Sequence, residues 1–290
     1  MQVHLVDGTY ELYRQHFGQA TRHSDPPPFA GTIGVLTSTI QLLQDGATHI
    51  GVATDHVIES FRNDLYDGYK TSEGMEPVLL EQIPILEDAL RAMGVTVWAM
   101  EKYEADDALA SAATKACEDR TVHKVLILTP DKDLGQCVQG KRVVQFDRRN
   151  NIMIDEAAVV LKFGVGPSSV IDYLALVGDT ADGFPGLQGW GAKSASTVLA
   201  KYQLIDNIPD DHNQWIADGV TVRSAEKLAT TLRDNRKDAA LFKQLATLVT
   251  DVPVGDVGDW LWRGPTDRFE SVANTLGAPQ LIERVSRLKK

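Results

Sequence analysis

Short apolar runs recur along the chain, with longer patterns of helical spacing between them. VHLV (3–6), HIGVAT (49–54), VTVW (95–98), KVLILT (124–129) and RVVQF (142–146) are apolar at nearly every position. Such runs predict strands covered on both faces, as in a parallel sheet. Helical patterns fill the intervals at Thr32 to Gln44, Leu79 to Met93 and Ala105 to Ala116. The alternation predicts an α/β fold with a doubly wound sheet. After Ile154 strand-like runs become rare. Helical patterns there cover Asp155 to Phe163, Pro167 to Val177, Ala192 to Lys201, Ser224 to Thr231 and Asp234 to Leu245. The pattern divides the chain near residue 150, with an α/β part over 1–150 and a helical part over 151–290. Pro26-Pro27-Pro28 marks a loop, and no internal repeat is visible.

Composition narrows the class. Hydrophobic residues make up 43% of the 290 positions, enough for a sizeable core and too many for a disordered chain. No apolar run reaches membrane-spanning length, and no membrane is expected as a partner. The start, MQVHLVDGTY, lacks the basic flank and long apolar stretch of a signal peptide. The two cysteines, Cys117 and Cys137, lack metal spacing, so a reducing cytoplasm is the expected setting. The net charge of -11 alone argues against nucleic acid. A sum says nothing of distribution, however, and acids gathered in one cation pocket leave room for basic stripes elsewhere.

The acids are not scattered. VHLV runs into Asp7, HIGVAT into Asp55, and KVLILT is followed by Pro130, then Asp131 and Asp133; Glu104, Asp106 and Asp107 open the helix after VTVW. Ligands of open parallel sheets sit beyond the carboxyl ends of the strands, so these acids are expected to converge on one edge. Each has an ordinary alternative: Asp7-Gly8 as a turn, Glu104 to Asp107 as first-turn acids, Asp131 as a helix cap. Together they would repel strongly at neutral pH unless divalent cations intervene. All-oxygen ligands suit Mg²⁺ or Mn²⁺. Asp179 and Asp182 form a second group, and two acid groups suggest two metals arranged for displacement at phosphorus.

Directly after them comes a glycine-rich segment, GFPGLQGWGAKSA (183–195). Gly186, Gly189 and Gly191 leave backbone N–H groups bare, the next helix adds its positive end, and Lys193 adds a charge. The alternative is an interhelical turn whose glycines supply positive φ. Trp190 sits inside this segment and reads equally as a surface contact or as core.

LVDGTYELYR (5–14), FRNDLYDGYK (61–70), EADDALA (104–110), TPDKDLGQCV (129–138), DYLALVGDTADGFPGLQGWGAKSA (172–195) and LATLVTDVPV (245–254) resemble the 5′ nuclease family. That family comprises flap endonucleases, phage 5′-exonucleases and the 5′-nuclease domain of bacterial DNA polymerase I. The resemblance implies a PIN-like α/β fold, a helical arch at about 56–84 and a helix-three-turn-helix at about 167–201. It implies metal ligands at Asp7, Asp55, Glu104 and Asp106 for one cation, and at Asp131, Asp133, Asp179 and Asp182 for the other. Asp107 matches an acid lining the pocket. Lys70 matches a lysine that enters the active site from the arch, acting with Asp7 and Asp131 in catalysis, and Arg62 a neighbouring basic residue. Gly186, Gly189, Trp190, Gly191, Lys193 and Ser194 match a duplex-binding turn that often holds K⁺.

The implied activity is two-metal 5′-3′ exonuclease and flap endonuclease hydrolysis in replication and repair. The implied partners are branched or nicked double-stranded DNA with a 5′ flap or 5′ end, and RNA primer strands. The chain is expected to act as a monomer at the nucleoid. Two departures stand out: Asp182 is followed by Gly183 where relatives have Asn, and Glu73 replaces an arginine three residues after Lys70. A PIN-like ribonuclease and a weakly catalytic DNA-structure binder remain as alternatives. The first needs no glycine hairpin, and the second should lack some of these carboxylates.

Overall fold

The computed structural model describes residues 1–20 and 28–289; Pro26 and Pro27 of the proline triplet lie outside the described residues. Along the chain come β1 (Gln2–Asp7), α1 (Gly8–Ala20), α2 (Ala30–Gln44), β2 (His49–Asp55), α3 (Phe61–Leu65), α4 (Pro77–Ala92), β3 (Thr96–Met100), α5 (Ala105–Glu118) and β4 (Lys124–Leu128). There follow β5 (Val143–Asp147), β6 (Ile152–Ile154), α6 (Glu156–Phe163), α7 (Val170–Val177), α8 (Ala192–Tyr202), α9 (His212–Ala217), α10 (Ala225–Asp234), α11 (Arg236–Ala246), α12 (Phe269–Thr275) and α13 (Gln280–Ser286). The chain forms two compact units. The first comprises Met1–Ser60, Ser72–Thr129 and Val249–Lys290; the second comprises Phe61–Thr71 and Pro130–Leu248.

In the first unit four strands run parallel in the order β3-β2-β1-β4. The register sets Val3 opposite both His49 and Val125, and Gly51 opposite Thr96. Because β1 and β2 are parallel neighbours, Asp7 and Asp55 leave the sheet at the same edge. Val3, Leu5, Val52 and Ile127 are completely buried, as the unbroken apolar runs require. Gly8 does not end in a turn: it opens α1. A Cβ at Gly8 would lie 2.7 Å from Val52 Cγ1 and 2.8 Å from the Ala53 carbonyl oxygen, so the missing side chain lets the first turn of α1 lie directly on β2. The short polar spacing of TYELYRQHF hides this helix from a search for apolar periodicity.

The last segment of the chain also returns to this unit, in contrast to a linear division near 150. Gly51 makes the return practicable. Its Cα faces the Trp98 ring so closely that a Cβ would sit 2.2 Å from it. Trp98 meets Trp260 edge to face at 5.4 Å, and both indole N–H groups donate to the Val254 carbonyl, at 3.0 and 2.9 Å. Tertiary indole packing of this kind leaves no periodic trace in the sequence.

The second unit is mostly helical. Its two strands pair antiparallel, Phe146 opposite Met153, so not every strand of the chain follows the parallel expectation. Its core gathers Val170, Leu174, Phe184, Trp215 and Leu232. Phe184 stacks on Phe242 at 5.8 Å, and Trp190 meets Trp215 at 6.0 Å. Asp155 caps α6 by accepting from the Ala158 amide at 3.0 Å, and Gly164 (φ 72°) closes it. The expected Pro167 to Val177 helix begins as a 3₁₀ turn (Pro167–Ser169) and becomes α-helical at Val170. Across 56–84 the chain forms α3, turns, and the first half of α4. Among the described residues no single helix is long and apolar enough to cross a membrane.

Candidate metal centre

In the first unit the acids sit at the carboxyl edge and are held by short hydrogen bonds. Asp7, 7% exposed, accepts from the Tyr10 amide at 2.8 Å and the Thr129 hydroxyl at 3.0 Å. Asp55 accepts from the Ala105 amide at 2.8 Å, which ties the end of β2 to the first turn of α5. Glu104 is buried and accepts from the Ser60 hydroxyl at 2.7 Å. Asp106 lies half-buried in the first turn of α5. Asp107 has a different task from the one expected. It is completely buried, and its two oxygens accept from the amides of Glu104 and Val249, each at 2.9 Å. It closes the α5 cap and anchors the returning chain rather than facing a cation. Ser60 and Thr129 carried no signal in the sequence, because a hydroxyl becomes informative only once its carboxylate partner is placed.

In the second unit Asp133, Asp179 and Asp182 converge, with one oxygen from each lying within 4.8 Å of the others. All three are buried. Asp131, exposed at the surface, accepts from the Asp133 amide at 2.9 Å and so fixes the turn that points Asp133 inward. The Asp179–Phe184 pair of backbone hydrogen bonds, 2.8 and 3.1 Å, folds the next loop back. Two lysines approach the trio. Lys70 Nζ is 2.9 Å from Asp182 Oδ1, and Lys132 pairs with Asp179. Lys132 was missed in the sequence, although its place between Asp131 and Asp133 was the available clue.

Gly183 accounts for the placement of Lys70. Its φ is 89°, a conformation that suits glycine. A Cβ there would lie 2.1 Å from the Gly68 carbonyl oxygen. With only hydrogen in the way, the 68–70 backbone closes in, and the Lys70 amide donates to the Asp182 carbonyl at 2.9 Å. The departure from Asn after Asp182 is therefore matched to the segment that carries the lysine.

Burial pushes the Asp133 carboxyl well above the usual range, and the charges of Asp131, Asp182 and Asp179 push it further, against a smaller opposing pull from Lys132. Burial draws Lys132 downward, but its bond to Asp179 and the charges of Asp133, Asp179 and Asp131 outweigh this and hold it above the ordinary lysine value. Asp133 Oδ1 is buried with no hydrogen-bond partner among the described residues. Such an oxygen is costly, and a hard divalent cation is the partner that an all-carboxylate donor set suits. The residues therefore fit a metal.

The other expected contacts divide. Arg62 is 1% exposed; its guanidinium lies over the Phe61 ring at 4.7 Å and donates to the carbonyls of Leu245 and Thr247 at 2.8 and 2.9 Å. It pins the end of α11 and does not face DNA. Trp190, 6% exposed, is core against Trp215. Gly178 and Gly186 bring two backbone segments together, since a Cβ on Gly186 would lie 2.3 Å from the Gly178 nitrogen. Gly189 and Lys193 are exposed, and Gly191 caps α8, with the Ser194 hydroxyl 3.0 Å from its amide.

An α/β unit with acids at the carboxyl edge of a parallel sheet, accompanied by a helical unit with a buried carboxylate trio, defines a class of proteins built around divalent cations. The 5′-3′ exonuclease N-terminal resolvase-like domain matches residues 2–164, and the 5′-3′ exonuclease C-terminal SAM fold matches 165–268. The chain belongs to the 5′-3′ exonuclease family. It is 30% identical over 263 residues to a 5′-3′ exonuclease of Aquifex aeolicus, covering 87% of this chain and 83% of that one. It is 29% identical over 290 residues to DNA polymerase I of Bacillus caldotenax, covering 97% of this chain and 32% of the polymerase. The chain thus spans about a third of the length of such polymerase relatives. In fold it is similar to a bacteriophage T5 flap endonuclease solved with DNA and metal ions, with TM-score 0.66, 17% identity, and 99% and 98% of the two chains covered.

Proposed function

We propose that this chain is a structure-specific 5′ nuclease that hydrolyses phosphodiesters of branched or nicked DNA, with 5′-3′ exonuclease and flap endonuclease action. The observation that carries it is the buried trio Asp133, Asp179 and Asp182 with one orphaned carboxylate oxygen and Lys70 alongside. Asp133, Asp179 and Asp182, with Asp131 beside them, would hold one divalent cation. Asp7, Asp55, Glu104 and Asp106 would hold another. Bound Mg²⁺ or Mn²⁺ supplies Lewis acidity at the scissile phosphate and a water of lowered pKa.

The chain's own residues do the rest. Thr129 and the Tyr10 amide orient Asp7, and Ser60 orients Glu104. Lys70, 2.9 Å from Asp182 Oδ1, would supply positive charge to the phosphate in the transition state. Gly183 sets the distance over which it acts. The hairpin from Gly186 to Ser194 grips duplex backbone without reading bases, and bound K⁺ at this turn is part of the same proposal. Strands that carry RNA primer as substrates, and action as a monomer, complete the proposal.

Mapping the cut on a double-flap DNA with Mg²⁺ tests the proposal. It predicts products with a 5′ phosphate and 3′ hydroxyl near the branch, loss of cutting with chelator, and near-complete loss in Asp182→Asn. Cutting that persists in chelator, or equally fast cutting of unbranched single strands, would overturn it. A matched RNA flap separates this activity from that of a ribonuclease.

A further inference from the structure

Among the apolar side chains that α4 buries in the first unit lies one carboxylate. Leu86 and Leu90 are completely buried, and Glu87 is 2% exposed. A buried carboxylate is costly unless it is well paired, and a leucine would fill the position without that cost. Two partners account for it. The Thr54 hydroxyl donates to Glu87 Oε1 at 2.7 Å, and His56 Nδ1 lies 2.9 Å from Oε2 and 3.1 Å from Oε1. Arg91, 3.7 Å from Oε2 and half in solvent, offsets the charge only in part.

Those two partners are the residues on either side of Asp55. Side chains alternate along a strand: Thr54 and His56 turn to α4, and Asp55 turns to α5, where it accepts from the Ala105 amide at 2.8 Å. The Asp55 amide donates to the Thr9 hydroxyl at 2.8 Å. One carboxylate therefore grips the chain immediately before and after Asp55, while Thr9 and Ala105 hold Asp55 itself. The docking of α4 has other supports. Gln82 Oε1 accepts from the Thr32 amide and hydroxyl at 3.1 and 3.2 Å, and Leu79, Ile83, Leu86 and Leu90 are buried along the helix. What Glu87 adds is order at the end of β2.

We propose that Glu87 is a positioning residue for Asp55. By fixing Thr54 and His56 it sets the direction of the Asp55 carboxylate, and with it the affinity of the site formed by Asp7, Asp55, Glu104 and Asp106 for a divalent cation. The proposal rests on the assignment of those four acids to a cation in the nuclease reading, and it names the side chain through which α4 reaches them. Removing a buried partner that orients a ligand lowers metal affinity by about 10–100-fold.

The test titrates the whole chain with Mn²⁺ and reads free Mn²⁺ by electron paramagnetic resonance, with no substrate present. Asp55→Asn and Asp133→Asn identify the binding steps that use each carboxylate. Glu87→Leu should weaken the Asp55 step about tenfold or more and leave the Asp133 step unchanged. Combined with Asp55→Asn it should cause no further loss, because Glu87 acts through Asp55. Thr54→Val, a milder change that removes only the hydroxyl, should weaken the Asp55 step in part and carries the test where Glu87→Leu does not fold. In single-turnover cutting of flap DNA, Glu87→Leu should need about tenfold more Mg²⁺ and recover the parent rate at saturation, a shift that a merely structural role would not produce. Unchanged Mn²⁺ binding in Glu87→Leu (or in Thr54→Val, where the former does not fold), equal weakening of both steps, or losses that add in the double variant would overturn the proposal. If Asp55→Asn binds Mn²⁺ as the parent does, the cation assignment falls and Glu87 falls with it. Absence of flap cutting by the unaltered chain would remove the nuclease reading, whereas the Mn²⁺ titration judges Glu87 alone.

Discussion

Replacing Asp133 with asparagine should make the metal-free protein more stable and the metal-bound protein less so. Oxygens of Asp133, Asp179 and Asp182 lie within 4.8 Å of one another. Two unit charges at that distance repel by about 3 kcal/mol at an effective dielectric constant near 20. Lys70 and Lys132 offset much of this through their pairs with Asp182 and Asp179. Removing the third charge should then leave a net gain of about 1–2 kcal/mol, or roughly 2–3 °C in a chain of this size. With Mg²⁺ at a hundred times its Kd, the unaltered chain gains about 2.7 kcal/mol and the variant far less, so the order of melting temperatures reverses. The pH dependence follows from the same carboxyl. Asp133 keeps its proton to a higher pH in the folded chain than in the unfolded one. The folded state therefore binds more protons across that interval, and metal-free stability falls as pH rises from the ordinary carboxylate range through the raised value. Asp133→Asn removes that decline. Thermal melts in chelator and in Mg²⁺ at several pH values read all of this. A variant that melts lower than the parent in chelator, with an equal gain from Mg²⁺ in both, would refute the repulsion and the cation site together.

Three other substitutions probe separate parts of the account. Gly183→Ala forces a side chain into a φ of 89° against the Gly68 carbonyl; it should slow cleavage at least tenfold while duplex affinity stays within twofold, and single-turnover rates beside binding curves check both. Arg62→Ala strands the carbonyls of Leu245 and Thr247 in a buried site and should cost about 3 kcal/mol of stability; a denaturant titration checks it, and a variant of unchanged stability with weakened DNA binding would return Arg62 to the DNA surface. Glu73→Arg places a cation on the exposed segment after Lys70 and should tighten binding of a long single-stranded 5′ flap relative to a nicked duplex, an advantage that shrinks in high salt. An equal change on both substrates would show that residue 73 does not meet the flap.

The sheet was legible because its strands are largely apolar, and β1, β2 and β5 end in acids; β1 to β5 fall within two residues of their expected limits. The acids themselves were legible as types at strand ends, and the spacing of Asp179 and Asp182 announced a shared pocket. What the sequence hid was orientation. Asp107 looks the same as Asp106 in a string of letters, yet one residue further round α5 both its oxygens meet backbone amides. Arg62 reads as a surface cation until Leu245 and Thr247, far along the chain, present their carbonyls. Trp190, poised between surface and core on sequence grounds, is decided by Trp215. The return of the last segment to the first unit rests on indoles meeting a glycine, a match of shapes with no period. Gly183 stands out in the sequence as a departure, but only the approach of Gly68 explains why it carries no side chain.

The claim at the centre is that Asp133, Asp179 and Asp182 together hold a divalent cation. Anomalous diffraction from crystals of the whole chain soaked in Mn²⁺ measures this without reference to activity. The account predicts a manganese peak bonded to carboxylate oxygens of the trio at about 2.1–2.2 Å, with Lys70 and Lys132 displaced from Asp182 and Asp179. A Mn²⁺-soaked crystal in which both lysines stay paired and no peak lies within bonding distance of Asp133 would contradict it.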